Sequence, residues 1–179
     1  TQSIYLADMC GDGLNDIVRI RNGEICYWPN IGYGHFGAKV TMDNPPTFEP
    51  REQFNQNRIR LADIDGSGTN DILYLYHDHI SIWLNQSGNS WQEKIVLKNI
   101  PYIDNLSSVM VADLLGKGTA CIVWSSPLPA NGAQPMMYID LMKENKPHLM
   151  YRTLNNMGAE TELIYAPSTK YYIDDLKHS

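Results

Sequence analysis

The chain repeats itself. Residues 6–30 read LADMCGDGLNDIVRIRNGEICYWPN, and residues 61–85 read LADIDGSGTNDILYLYHDHISIWLN, which aligns with the first stretch without a gap. Eleven of these 25 positions are identical, which is far more than unrelated segments share. A third copy, VADLLGKGTACIVW, begins at Val111 and has Cys121 where the earlier copies have aspartate. A period of about 50 residues is typical of folds built from stacked, similar units.

Each copy has the same order of local structural signals. A short apolar segment ends in Ala-Asp, and a glycine-rich turn leads into a β-prone run such as Ile17 to Ile20. The dipeptide Asn22-Gly23 follows, which is a strong signal for a two-residue β-hairpin. No window shows a clean helical period. The sequence therefore predicts several short antiparallel strands in each repeat and no helix.

The fold class that follows is all-β, a partial β-propeller with a C-terminal β extension. Residues 1–145 hold about three blades that begin near residues 4, 59 and 108. Closed propellers need typically four to eight blades, so we expect this chain to belong to a longer protein or to pair with another copy. Strand-like pieces occur at 136–141, 148–153 and 160–165, and we predict residues 146–179 to be a β-strand extension.

Charge and composition argue against several functions. The formal net charge is −6 and no lysine or arginine cluster occurs, so nucleic-acid binding is disfavoured. No apolar run reaches the roughly 20 residues of a membrane helix, and we expect no direct membrane insertion. The three cysteines are scattered. No acid/base pair or nucleophile stands in a supporting context, and we therefore expect no enzyme activity and no catalytic residues. The G-x-G-x-x-G match at 32–37 has no helix pattern after it.

The glycine-rich turns carry the one site chemistry that stands out. Oxygen donors at alternating positions around a tight turn suit Ca²⁺. In the second copy the candidate ligands are Asp63, Asp65, Ser67, the Thr69 carbonyl and Asp71, and in the first copy they are Asp8, Asp12, the Leu14 carbonyl and Asp16. Cys10 is a poor Ca²⁺ ligand. In the third copy Lys117 opposes a cation, so no metal is expected there.

A metal-free role for the same aspartates remains open. Aspartate side chains in turns also accept hydrogen bonds from nearby backbone amides, which holds the loop without a cation.

The D-x-x-G-x-G-x-x-D loops, with Phe36-Gly37 downstream, resemble the FG-GAP/VCBS repeats of integrin-α-like propellers. Two further stretches are more specific: YWPNIGYGHFG at 27–37, and residues 146–170 with NNMGAET and YAPSTK. Together they resemble the middle region of the B component of bacterial insecticidal toxin complexes, the group that includes TcaC- and SpvB-type proteins.

This resemblance implies a structural role. In that family a propeller docks on the pentameric A component, which is the translocation channel, and the B and C components together form a shell around the toxic segment. The chain would then be a docking and gating module of a secreted bacterial complex, with residues 146–179 leading into the shell. A rival hypothesis is a calcium-dependent adhesion or ligand-binding propeller of the integrin-like type.

Overall fold

The structure is a computed structural model that describes residues 3–50, 52–143 and 147–178. Strands dominate it. They are β1 (Ile4–Ala7), β2 (Asp16–Arg21), β3 (Glu24–Trp28), β4 (Asn30–Gly32), β5 (His35–Phe36), β6 (Val40–Thr41), β7 (Ile59–Ala62), β8 (Asp71–Leu75), β9 (Ile80–Trp83), β10 (Asn85–Gln86), β11 (Ser90–Trp91), β12 (Ile95–Leu97), β13 (Ser108–Ala112), β14 (Cys121–Ser125), β15 (Met136–Asp140), β16 (Arg152–Leu154) and β17 (Glu160–Glu162). One helix, α1 (Ser168–His178), and two 3₁₀ turns (Gln56–Arg58 and Pro129–Asn131) complete the elements of the described residues.

Three antiparallel sheets follow one another along the chain. The first has the strand order β1-β2-β3-β6, the second has β7-β8-β9-β12, and the third has β13-β14-β15. The first strand of each sheet begins at Ile4, Ile59 or Ser108. Three two-stranded ribbons, β4-β5, β10-β11 and β16-β17, extend from this framework.

The first two sheets have matching strand registers. Leu6 lies opposite Ile17, and Ile17 lies opposite Trp28. In the second sheet Ile72 takes the place of Ile17, between Leu61 and Trp83. The two aligned repeats therefore fold alike, and the prediction of short antiparallel strands in each is confirmed.

The sheets pack face to face, in chain order, through two separate cores. Because side chains of a strand alternate between its two faces, β8 supplies both cores. Ile72 and Tyr74 join the core shared with the first sheet, whereas Leu73 and Leu75 join the core shared with the third. All five residues of β8 are buried, so the second sheet is the middle layer of the stack.

Aromatic side chains fill the interface between the first and second sheets, which we call the first seam. Phe48 comes from the connection between the two sheets, and its ring lies 4.9 Å from that of Tyr74 and 5.3 Å from that of Trp83. The Phe54 ring stacks on both Phe48 and Tyr74, with ring centroids 5.4 Å and 6.0 Å apart. The Tyr74 hydroxyl donates to Glu49 Oε2 over 2.6 Å, which satisfies the polar end of this buried ring.

The extension differs from its prediction at its C-terminal end. Residues 152–154 and 160–162 form the hairpin β16-β17, but Ser168–His178 is helical, so the expectation of no helix is wrong there. Pro167 directly precedes the helix and the Lys170 amide donates to its carbonyl, which sets the first turn. The proposed boundary between residues 145 and 146 lies outside the described residues.

The described residues do not close into a propeller ring, because the outer faces of the first and third sheets have no sheet against them. Among the described residues no helix is both long and apolar enough to cross a lipid bilayer.

The aromatic seam gives a test of the packing. Replacing Phe48, which is 5 % exposed, by alanine removes three ring contacts and leaves a cavity. We expect Phe48→Ala to lower the free energy of unfolding by about 3–5 kcal/mol, measured by urea denaturation. Phe36→Ala is the matched control, because Phe36 is 41 % exposed and its loss should cost little. Equal losses for the two variants would contradict this account of the seam.

Candidate functional site

The two carboxylate loops connect the first and second strands of their sheets, β1 to β2 and β7 to β8. Ligand atoms of Asp63, Asp65 and Asp71 lie within 4.8 Å of one another. In the first loop the corresponding group contains Asp8, Cys10 and Asp16. The structure thus brings together five of the predicted aspartates, and it adds the Cys10 thiol to the first set.

Asp12 does not join the first of these groups. Asp12 accepts a hydrogen bond from the Leu14 amide over 2.8 Å at the exposed tip of the first loop. The hydroxyls of Ser67 and Thr69 lie 3.0 Å apart and bond to each other, and Thr69 is buried.

The first aspartate of each loop holds the turn through backbone amides. Asp8 accepts hydrogen bonds from Gly11 and Gly13, each over 2.7 Å, one on each oxygen. Asp63 accepts from the amides of Gly66 at 2.8 Å and Gly68 at 3.0 Å in the same way. The four glycines have φ between 75° and 90°, a region that glycine adopts without steric cost. The repeated glycines are therefore required by the loop backbone itself.

The last aspartate of each loop is fully buried and joins two distant segments. Asp71 accepts from the Ile64 amide and from the Asn85 amide, both over 2.8 Å. Asp16 accepts from the amides of Met9 at 2.9 Å and Asn30 at 2.8 Å. Each carboxylate thus fixes its own loop to the asparagine two residues after the third strand.

Asn30 and Asn85 were not singled out from the sequence as functional positions. Asn30 and Asn85 end the two repeats, and both are among the identical positions. Their side-chain amides donate to the carbonyls of Asn15 and Asn70 over 3.0 and 3.1 Å. Their recurrence at the end of each repeat is the sequence signal that could have identified them.

The second loop also locks onto the first. The Asn70 amide donates to the Asp8 carbonyl over 2.8 Å, and the Asn85 side chain donates to the Met9 carbonyl over 2.9 Å. Thr69 packs so closely on Gly11 that a Cβ there would lie 3.1 Å from the Thr69 methyl carbon. The loops therefore join neighbouring sheets, whatever else they bind.

The electrostatics of the second loop are compatible with a cation. Burial raises the pKa of Asp71 from 3.8 to about 7, against the opposing effect of its two amide hydrogen bonds, and the charges of Asp65 and Asp63 raise the pKa further. A divalent cation among these oxygens would relieve that repulsion. The oxygen donor set fits Ca²⁺ in the second loop better than in the first, where Cys10 is a soft ligand.

The third loop lacks this arrangement. Asp113 still accepts from the amides of Lys117 and Gly118. Cys121 occupies the position of the buried aspartate, and the Lys117 ammonium lies 3.2 Å from Asp140 on β15, not against Asp113. The lysine therefore stabilises the edge of its own sheet.

The G-x-G-x-x-G stretch at 32–37 lies in the β4-β5 hairpin and the residues that follow it. No helix begins in residues 38–50, whereas the dinucleotide-binding fingerprint requires a helix directly after it.

The buried carboxylate gives a pH-dependent test. Because folding raises the pKa of Asp71, the folded state binds a proton more tightly than the unfolded state. Its contribution to stability is therefore complete below about pH 4 and is lost as the pH rises toward about 7. Asparagine does not titrate. We expect the difference in unfolding free energy between the wild type and Asp71→Asn to shrink as the pH rises, measured by urea denaturation at several pH values.

Asp78→Asn is the control for this pH series. Asp78 is exposed, and its pKa is lowered by the hydrogen bond from His79. The contribution of Asp78 to the unfolding free energy should not fall as the pH rises. A difference for Asp71→Asn that stays constant or grows with pH would overturn the assignment.

A calcium titration tests the metal hypothesis. If the second loop binds Ca²⁺, the melting temperature should be higher in about 1 mM calcium than in chelator, since a ligand of the folded state stabilises it. Asp63→Asn should remove that difference, and Asp113→Asn, in the third loop, should leave it intact. Equal melting temperatures in calcium and chelator for the wild type would leave the loops as metal-free turns.

Comparisons with known proteins point in one direction. The family model described as the insecticide toxin TcdB middle/N-terminal region matches residues 103–178. A crystal structure of TcdB2-TccC3-Cdc42 matches 96 % of this chain with 30 % identity and a TM-score of 0.83. The structure of a Photorhabdus luminescens Tc holotoxin pore matches 99 % of it with 29 % identity and a TM-score of 0.81. The chain spans 8 % of the length of each of these relatives.

A structure of an Agrocybe aegerita lectin matches 68 % of the chain at 22 % identity, with a TM-score of 0.53, and shows a likeness of fold alone. No curated protein matches the chain. In sequence over residues 103–178, and in fold over almost its whole length, the chain is similar to a B-type region of the Tc toxins.

Proposed function

We propose that this chain is a docking and gating propeller module of the B component of a secreted toxin complex, linking the toxin-enclosing shell to the translocation channel. The observation that carries the proposal is the match to TcdB2-TccC3 over 96 % of the chain at 30 % identity. A structural role in a toxin complex follows from that match, and the docking and gating role is the finer part of the proposal.

The stacking of the sheets supports the propeller. Val18 and Ile20 of the first sheet are buried against the second sheet. Their counterparts in the second repeat, Leu73 and Leu75, are buried against the third sheet. Each sheet therefore uses one face toward the next sheet and the opposite face toward the preceding one, which is the head-to-tail contact that generates a ring when its rotation closes.

The outer face of the first sheet is left open. Ile4 and Leu6 are 43 % and 68 % exposed, although their counterparts Ile59 and Leu61 pack into the first core. The outer face of the third sheet is also apolar, with Met110, Met136 and Tyr138 each more than half exposed. Further blades of the same kind would cover both faces, as expected if these three sheets are consecutive blades of a larger propeller.

The partners that we propose are the A component, the pentameric translocation channel, and the C component. In support, the similar structures contain TcdB2 with TccC3, and one of them is a Tc holotoxin pore. We propose that the extension, with its hairpin β16-β17 and helix α1, leads into the shell, and that the assembly acts outside the bacterium that secretes it.

We also propose that the chain acts without catalysis. The two carboxylate loops use their carboxylates to hold backbone amides and to fix each loop to the end of its own repeat. Such side chains are committed to structure in the way that turn aspartates generally are. No nucleic acid and no membrane insertion enter this proposal.

The β4-β5 hairpin is the surface that we propose for docking. Tyr33 is completely exposed at its tip and has φ 51°, a conformation that costs energy for a tyrosine. Ile31 beside it is 64 % exposed. Since folding gains nothing from an aromatic ring in this position, a partner surface is the better reason for it.

The docking proposal is tested with Tyr33→Asn in the full B component. Asn-Gly is the preferred pair for a two-residue turn of this kind, so the hairpin should fold at least as well without the ring. We expect the affinity for the channel component to fall by about tenfold or more, measured by surface plasmon resonance. Tyr102→Ala, a loss of another exposed ring, is the control. Unchanged binding by Tyr33→Asn would refute docking through this hairpin.

The rival function is a calcium-dependent adhesion propeller. The observation that favours it is the cluster of three carboxylates in the second loop. Under that hypothesis the chain binds a cell-surface ligand in calcium and releases it in chelator, whereas docking to the channel component does not need the metal.

A further inference from the structure

A cleft opens between the second and third sheets, at the end of the sheets opposite the carboxylate loops. Its volume is about 270 Å³, which is enough for a small polar ligand or a side chain. Its polar wall includes the side chains of Arg58, Arg60, His77, Asp104, Asn57 and Ser107.

The first seam shows that the repeat does not require this polar wall. Tyr5 is the counterpart of Arg60 on the equivalent strand, and its hydroxyl donates to the Gln56 carbonyl. Asn22 is the counterpart of His77 in the alignment of the repeats. The first seam thus has neutral groups at the two positions where the second has a guanidinium and an imidazole.

The first seam is also filled. Asn22 accepts from the Phe48 amide over 2.7 Å and donates to the Glu49 carbonyl over 2.6 Å, which pins this segment to the first sheet. The rings of Phe48 and Phe54 then pack into the core. The connection before the third sheet contributes Ile103, Asp104 and Asn105 instead, and the cleft remains.

Arg60 is a partly buried cation without an acidic partner. Its Nε donates to the Val109 carbonyl over 2.8 Å, and its Nη1 donates to the carbonyls of Asn57 at 2.7 Å and Ile59 at 2.9 Å. Among the described residues no carboxylate pairs with it, and burial lowers its pKa. These carbonyls fix the guanidinium in place but leave its charge without compensation.

The neighbouring groups do not neutralise that charge. Arg58 is paired with Glu49 at 3.3 Å. Its Nη2 lies 2.9 Å from His77 Nε2 and must be the donor, because a guanidinium has no acceptor. His77 Nε2 is therefore the acceptor in this contact, and Nδ1 donates to the Ile103 carbonyl over 2.7 Å.

The acidic residue in the wall is also engaged. Asp104 Oδ1 accepts from the amides of Leu106 and Ser107 and from the Ser107 hydroxyl, over 2.7 to 2.9 Å. Those bonds hold its own loop. The guanidinium of Arg60 is thus the charge in the cleft wall that no bond from an acidic side chain of the described residues balances.

We propose that this cleft binds a carboxylate group, with the guanidinium of Arg60 as its principal partner and the side-chain amide of Asn57 as a neighbouring donor. A carboxylate matches the planar guanidinium of Arg60, and it brings one negative charge beside the Asp104 carboxylate, whereas a phosphate dianion would bring two. The proposal is independent of the docking and gating role.

The test is a titration of the 179-residue chain with acetate, followed by ¹⁵N NMR of the arginine Nε–Hε groups at constant ionic strength. We expect saturable shifts at Arg60 and Arg58. Acetamide, which has the same shape without the charge, should produce none. Arg60→Gln should weaken acetate binding by about tenfold or more, and Arg21→Gln, which removes an exposed arginine of the first sheet, should leave it unchanged.

Since Arg60 also bonds three carbonyls, Arg60→Gln could fail to fold, and Asn105→Trp provides a second route. Asn105 is exposed at the rim, so a large ring there should block the cleft without disturbing the core and should abolish the acetate shifts. Shifts that do not saturate, that are equally large at Arg21, or that persist in Asn105→Trp would overturn the proposal. Tighter binding of inorganic phosphate than of acetate would overturn the choice of a carboxylate.

Discussion

A fully buried aspartate fixes the loop of each of the first two sheets to the end of its own repeat. Asp16 and Asp71 each accept one amide from their own loop and one from the asparagine two residues after the third strand. A buried carboxylate is costly unless its oxygens are bonded, and in both places each oxygen has a backbone donor. Removing either side chain would leave two amides of distant segments without their partner. The identity between the repeats is therefore concentrated where this bridge requires it.

This dependence explains which parts of the fold were predictable. The strands of the first two sheets were predictable, because the loop, hairpin and strand signals recur at one offset and agree with each other. Helix α1 was not, because its tyrosines and isoleucine favour strands and its first turn has no acidic residue. Ring closure could not be predicted for another reason. Three repeats define how neighbouring sheets contact each other, but not how many sheets a ring contains.

The candidate metal site was predictable only as a set of residues. Spacing identified the aspartates that converge, and five of them do. It could not show that Asp12 bonds at the tip of its turn, or that Thr69 is buried against the neighbouring loop. The burial of Thr69 depends on the contact between sheets, which the pattern of a single repeat does not contain. The same contact gives the asparagines at the end of each repeat their role.

The third sheet shows how the framework tolerates loss of the bridge. Cys121 stands where the buried aspartate would be, and burial raises the pKa of its thiol, so the position stays neutral in the core. Its loop keeps the Asp113 turn, and the third strand of the sheet is held by full pairing with β14 over five residues. A neutral side chain at this position makes no bridging bonds, but it also avoids the desolvation cost of a buried carboxylate. This is less disruptive than a buried carboxylate that has lost its hydrogen-bond donors. Strand pairing and apolar packing therefore suffice to place a sheet, and the carboxylate bridge adds the fixed link between a loop and the end of its repeat.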